Sequence, residues 1–260
     1  MRYLLSVPPF TDAARVVRWG VAAEAAGWDG VFLWDHLRWR ESVDPPVHDP
    51  WVLLGAIAAQ TDRVLLGTLV TPLSRRRPAV LAKQLLTLDH LSGGRAVLGV
   101  GLGEPPDRDF SDWGDEADPR VRARMLDEHL AVLDGLLRGE RVDHDGDHYA
   151  VHAQVRPGPV TRPRPPVWVA GVVPNRRPLA RARRWEGVVP IGEDLTPDAL
   201  RGYLGGDVPD GWEVVASPSG PADPAAWADA GATWLVTSAD PSEPGWEEPF
   251  EEVVSRGPGR

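Results

Sequence analysis

Asp35, His36 and Glu104 are the residues whose types and surroundings best suit proton chemistry. Asp35-His36 closes an otherwise apolar run, Gly30–Trp34. Imidazole exchanges a proton near neutral pH without help, and a strand end is a rigid mount for it. Glu104 closes Gly99-Val100-Gly101-Leu102-Gly103, and Pro105-Pro106 stiffen the chain beyond it. On adjacent strands of one face, His36 and Glu104 form an acid/base pair. The residue types also allow a plainer reading, in which Asp35 caps loop amides, His36 lies at the surface and Glu104 is a solvated loop acid.

The glycines before Glu104 alternate, so a strand of period two shows one face stripped of side chains. Something flat, or another backbone, can approach it. The run lacks G-x-G-x-x-G spacing, and Pro105-Pro106 prevent a helix from opening directly after it, so it is no dinucleotide fingerprint. Ala170-Gly171, leading through Pro174-Asn175 to Arg176-Arg177, suits an anion better, with helix-start amides and guanidiniums together. Arg75-Arg76-Arg77 reads as a solvated charge run, with an anionic cofactor tail or substrate as the alternative. Trp34, Trp39 and Trp51 fall near these residues and suit the flanks of a planar ring. His144, His148 and His152 are evenly spaced, but Asp145-Gly146 breaks any helix that would align them, so no metal site is expected.

The elements that must carry these groups alternate. Strands are expected over Tyr3–Val7, Gly30–Trp34, Val64–Val70, Ala96–Gly101, Val167–Ala170, Gly187–Pro190, Trp212–Ala216 and Thr233–Val236. Helices are expected over about Asp12–Ala26, Asp49–Gln60, Pro78–Leu91, Arg120–Arg138, Arg177–Trp185, Pro197–Leu204, Pro224–Ala230 and Trp246–Ser255. Asp49-Pro50 is a favoured helix start. Residues 140–166 look irregular, with Asp145-Gly146 as a hairpin turn. This is the alternation of a (β/α)8 TIM barrel, an α/β fold, over residues 1–260 as one domain with a hairpin insertion near 140–166; an open doubly wound sheet is the alternative. A barrel places its chemistry at the carboxyl ends of the strands, where Asp35-His36, Thr71, Glu104 and Gly171 fall.

Composition narrows the class. A net charge of -10 opposes general nucleic-acid binding, which needs clustered cations. The absence of cysteine excludes disulfides, thiolate catalysis and cysteine-held metal centres. Lys83 is the only lysine, which argues against Schiff-base chemistry and reads as the mark of a GC-rich genome. With no leader pattern at the N-terminus and no long apolar window, a cytoplasmic enzyme with a small-molecule substrate and no membrane partner is expected.

Three segments carry a resemblance: A-A-E-A-A-G-W-D-G-V-F-L-W-D-H (22–36), D-P-W-V-L-L-G-A-I-A-A-Q-T-D-R-V-L-L-G-T-L-V-T-P (49–72) and P-A-V-L-A-K-Q-L-L-T-L-D-H-L-S-G-G-R-A-V-L-G-V-G-L-G-E (78–104). With G-E-R-V-D-H-D-G-D-H-Y (139–149) and P-P-V-W-V-A-G (165–171), the chain resembles the bacterial luciferase-like monooxygenase superfamily over about residues 1–190. The resemblance implies a TIM barrel, usually dimeric, that binds FMN or the deazaflavin coenzyme F420. It implies that Asp35 binds the cofactor, that His36 meets its reactive ring and that Glu104 assists proton transfer. Gly101 and Gly103 belong to the implied cofactor site. It matches Leu69-Val70-Thr71 to a segment that often carries a non-proline cis peptide against the isoalloxazine, and Gly171, Asn175 and Arg176 to a phosphate loop. That loop here, A-G-V-V-P-N-R-R, lacks the family's usual second glycine or Ser/Thr. The expected function is F420-dependent hydride transfer. FMN-dependent monooxygenation and a non-catalytic flavin-binding barrel are the alternatives.

Overall fold

The computed structural model describes residues 1–40, 42–103, 109–206, 208–220 and 222–259. In chain order the elements are β1 (Arg2–Val7), α1 (Ala13–Ala25), β2 (Gly30–Leu33), α2 (Pro50–Ala58), β3 (Leu65–Pro72), α3 (Pro78–Leu91), β4 (Ala96–Gly101) and α4 (Pro119–Leu137). A hairpin of β5 (Arg141–Asp145) and β6 (Ala150–Gln154) follows. The chain then continues as β7 (Val167–Val172), α5 (Arg176–Ala182), β8 (Gly187–Ile191), α6 (Pro197–Leu204), β9 (Glu213–Ala216), α7 (Pro224–Asp229), β10 (Trp234–Ser238) and α8 (Glu247–Arg256).

Eight parallel strands close in the order β1-β2-β3-β4-β7-β8-β9-β10, and β10 returns to β1 in register from Arg2 opposite Trp234 to Ser6 opposite Ser238. That last pairing decides for the barrel over an open sheet, because β1 is bonded on both sides. Among the described residues, no helix is long and apolar enough to cross a membrane.

One device starts four of the eight α-helices among the described residues. Asp49, Asp118, Thr196 and Asp223 each accept a backbone N–H of the first turn through the side chain, and each is followed by proline. The cap satisfies an orphan donor and proline presets φ, each such cap contributing about 1 kcal/mol.

Strand alternation splits the core in two. Leu4, Phe32, Val97, Trp168, Val189, Val215, Trp234 and Val236 fill the barrel interior, with Phe32 stacked on Trp168 at 5.1 Å. Their neighbours, such as Leu5, Val31, Leu66 and Leu98, face outward under the helices. Strands buried on both faces read as unbroken apolar runs.

Within residues 140–166, β5 and β6 form an antiparallel pair that turns at Asp145-Gly146, where the hairpin turn is expected. It docks on α4 through Glu128, which accepts the backbone N–H groups of His148 and Tyr149. The three evenly spaced histidines diverge: the His144 ring meets Glu128, whereas His152 lies between Asp143 and Asp145.

The glycine strand explains the local shape of β3. A Cβ at Gly99 would lie 2.1 Å from the Thr68 carbonyl oxygen, and one at Gly101 would lie 2.8 Å from Val70. The bare face of β4 is therefore taken up by the neighbouring strand. Pairing runs from Thr68 opposite Leu98 to Thr71 opposite Val100, so β3 holds one extra residue and bulges. The bulge contains Leu69 and Val70, whose peptide bond is cis.

Candidate active site

At the carboxyl end of the barrel lies a cavity of about 560 Å³, bordered by the ends of β2, β3, β4, β7 and β8. The bulge presents Leu69 and Val70 to it. Gly101 and Ala170 border it with little or no side chain, and Trp34 and Trp39 wall the β2 side. Trp51, also expected near the site, is buried but not among the lining residues. Of the cofactor residues expected from sequence, Asp35, Leu69, Val70, Gly101, Gly103, Gly171 and Asn175 line the cavity, and so does His36.

His36 is held by a residue that sequence reasoning missed. Its Nδ1 lies 3.0 Å from Asp109 Oδ2, and Asp109 Oδ1 accepts the backbone N–H groups of Leu37 and Arg38, each at 2.9 Å. The Arg75 guanidinium caps the same carboxylate and also donates to the Asp35 carbonyl. Burial pushes the Asp109 pKa up. The hydrogen bond from His36, the Arg75 charge and the Arg38 amide outweigh it and hold Asp109 below the usual carboxylate range. An ionised Asp109 accepts only, so His36 Nδ1 carries a proton, and in the neutral ring the Nε2 lone pair is left for a ligand.

Asp35 is buried, and its carboxylate is spent inside the protein. Oδ2 accepts from Thr71 Oγ1 at 2.8 Å, and Oδ1 from the Arg76 guanidinium at 2.5 Å. Burial lowers the Arg76 pKa, but Asp35 and Asp49 more than reverse this and raise it. Thr71 is fully buried between Asp35 and Thr68 and does not line the cavity. Of the arginine run read as solvated, two members therefore lie inside and Arg77 remains exposed. Arg75 and Arg76 have side chains 2% and 16% exposed and neutralise two buried carboxylates. A carboxylate taken out of water needs such a partner, so the burial of Asp35 and Asp109 dictates where these arginines go.

Phe110 lies between two guanidiniums, Arg75 at 5.0 Å and Arg122 at 4.0 Å from its ring centre. Arg122 also donates to the Leu102 carbonyl at 2.9 Å and lines the cavity. A buried arginine inside α4 carries no local sequence signal, since α4 shows other arginines at similar spacing. Glu104 lies outside the described residues, and the strands leading to His36 and Glu104 are not adjacent as expected, since β3 stands between β2 and β4.

The phosphate-loop residues separate. Gly171 has no room for a side chain, because a Cβ there would lie 2.6 Å from the Tyr203 hydroxyl. Asn175 borders the cavity. Arg176 does not: its guanidinium donates to the carbonyls of Tyr203 at 2.6 Å and Gly202 at 3.1 Å, closing the end of α6.

The chain is 44% identical over 135 residues to the F420-dependent glucose-6-phosphate dehydrogenase of Beutenbergia cavernae, a match covering 50% of this chain and 39% of that relative. This chain thus matches about two fifths of the relative's length. Among solved structures, an F420-dependent secondary alcohol dehydrogenase in complex with an F420-acetone adduct is similar at a TM-score of 0.75 and 17% identity, over 98% of this chain and 100% of that one. The coenzyme F420 dependent tetrahydromethanopterin reductase from Methanopyrus kandleri gives a TM-score of 0.73 at 17% identity, over 98% of each chain. At this identity these likenesses speak for the fold. The luciferase-like monooxygenase model matches residues 3–203, and with a closed parallel barrel and its cavity at the carboxyl end, the chain belongs to the luciferase-like monooxygenase family.

Proposed function

We propose that the protein is an F420-dependent oxidoreductase that moves a hydride between the deazaflavin and a small organic substrate. The observation that carries this reading is the Asp109–His36 pair at the edge of an apolar slot. The slot suits a planar ring, with the β3 bulge on one side, Gly101 and Ala170 beside it, and indoles at the β2 end. The choice of F420 draws support from the 44% identity to a relative named for that coenzyme.

When bound, the deazaflavin supplies two-electron hydride chemistry. The chain's own part is the accompanying proton. With Nδ1–H directed to Asp109, His36 takes a substrate proton at Nε2 as general base, or returns it when the reaction runs the other way. Glu104, at the end of the glycine strand, assists that transfer. Asp35 acts by position: locked by Thr71 and Arg76, it fixes the backbone that carries His36. Leu69, Val70, Gly101 and Gly103 hold the ring, and Gly171 with Asn175 borders the tail of the coenzyme. Arg176, spent on the end of α6, contributes no charge to that tail. Self-association into a homodimer is part of this reading. It rests on exposed Val52 (72%), Val80 (52%) and Leu91 (55%) on α2 and α3.

Titrating the purified protein separately with F420 and FMN tests the reading. F420 binding at micromolar concentration is expected. Tight FMN binding without F420 binding overturns the coenzyme assignment, and binding of neither overturns the enzymatic one.

A further inference from the structure

Beside the coenzyme slot lies a second lobe of about 310 Å³, ringed by the ends of β1, β2, β3, β8, β9 and β10. The two share Trp34, Leu69, Val70 and Ile191. Their chemistry differs. The slot carries Asp35, His36, Arg122 and Arg181, whereas none of the described residues lining the second lobe is charged. Its walls are Val189, Val236 and Pro218, with Ser6, Ser217 and Ser238 as the polar points.

Ser6 is the oriented one. It is 3% exposed, and its Oγ accepts the Trp34 indole N–H at 2.7 Å, which leaves its single hydroxyl proton to donate. Ser238 spends its own proton on the Ser6 carbonyl at 2.8 Å. Lys83 gives its ammonium to the Arg156 carbonyl and lines neither cavity.

A phosphate or carboxylate in this lobe would lose water and meet hydroxyls and aliphatic carbon, which is costly without a cation. A hydrocarbon body gains from the same walls, and one donor matches one neutral oxygen. We infer that the second lobe binds the organic substrate, an uncharged small alcohol or ketone whose oxygen accepts from Ser6. The inference rests on the slot being the coenzyme site, and it departs from the sugar phosphate in the name of the Beutenbergia cavernae relative.

Saturation-transfer NMR on the full chain, with cyclohexanol and glucose 6-phosphate as probes and F420, tests it, while F420 binding is followed separately by fluorescence. Transfer to cyclohexanol and none to glucose 6-phosphate is expected. Ser217→Trp should abolish the cyclohexanol signal and leave F420 binding intact. Ser6→Ala should weaken cyclohexanol binding by about tenfold, the loss of one hydrogen bond, and it serves if Ser217→Trp does not fold. A glucose 6-phosphate signal that Ser217→Trp removes overturns the inference, as does a cyclohexanol signal that neither variant changes. If F420 binds and cyclohexanol does not, the substrate class falls alone. If cyclohexanol binds in the lobe and F420 does not, the coenzyme reading falls and the substrate role falls with it, while the lobe remains a site for an uncharged alcohol.

Discussion

From α1 to α4 the helices run 13, 9, 14 and 19 residues, whereas α5 to α8 run 7, 8, 6 and 10. The strand ends differ in parallel. After β2 and β3 come Asp35, His36, Arg75 and Arg76, tied to one another and to Asp109. The described ends of β7 to β10 offer Gly171, Ile191, Ser217 and Ser238 instead. Even the arginines divide by task. Arg75 and Arg76 neutralise buried carboxylates, whereas Arg176 and Arg183 donate to the last carbonyls of α6. The difference teaches that ionic placement is concentrated where long helices hold the strand ends rigid. The shorter half supplies walls, and its guanidiniums make up for helices too short to close themselves.

If the first half carries the proton chemistry, His36→Ala should lower kcat by about 10³-fold, within the usual range for a general base. Asp109→Asn should lower it by about 10- to 100-fold, as for other partners that orient a histidine. Both are read by steady-state kinetics at saturating F420. An Asp109→Asn enzyme with wild-type kcat would remove the pair from the mechanism.

The second expected effect concerns acid. His129 on α4 is fully buried against the Tyr149 ring. Burial pushes its pKa down to about 4, with the Leu73 carbonyl pulling partly back. In the unfolded chain a histidine titrates near 6.5, so below that pH the unfolded state binds a proton that the folded state refuses. Stability is whole above about 6.5 and drains away toward pH 4, by about 3 kcal/mol over that window. Denaturant unfolding at a series of pH values should show this slope, and His129→Phe should flatten it. An unchanged slope in the variant would place the acid sensitivity elsewhere.

The smallest effect belongs to the second half. Arg176→Ala should cost about 1 kcal/mol of stability, because exposed charge-assisted bonds are worth little. F420 affinity should stay within about twofold of wild type. A large loss of affinity would return Arg176 to the coenzyme tail and blur the division between the halves.

The strands and long helices were legible because each declares itself locally, by apolar runs or by an Asp-Pro start. Closure was not, since alternation feeds an open sheet equally well and only the pairing of β10 with β1 decides it. Asp35-His36 stood out because a polar pair ends an apolar strand. Asp109 did not, since it shares the 104–118 stretch with Asp107, Asp112 and Asp115 and no spacing selects one of them. Arg75-Arg76-Arg77 looked like a solvated face because a charge run gives no hint of the carboxylates after the two flanking strands that draw two of its members inward.

Thr68 and Thr71 are three residues apart, yet their hydroxyls are 2.9 Å apart. In a regular strand an odd separation sends side chains to opposite faces. The extra residue in β3 works as a change of phase, after which every residue has swapped parity. Only in the shifted phase does Thr71 reach Asp35. Deleting one residue at 69–70 would therefore leave the ionic cluster standing, because Thr68 and Thr71 would then be two apart on one face of a regular strand, while the cavity would lose the bulge that borders it. Inserting one more residue is what would turn Thr71 away from Asp35.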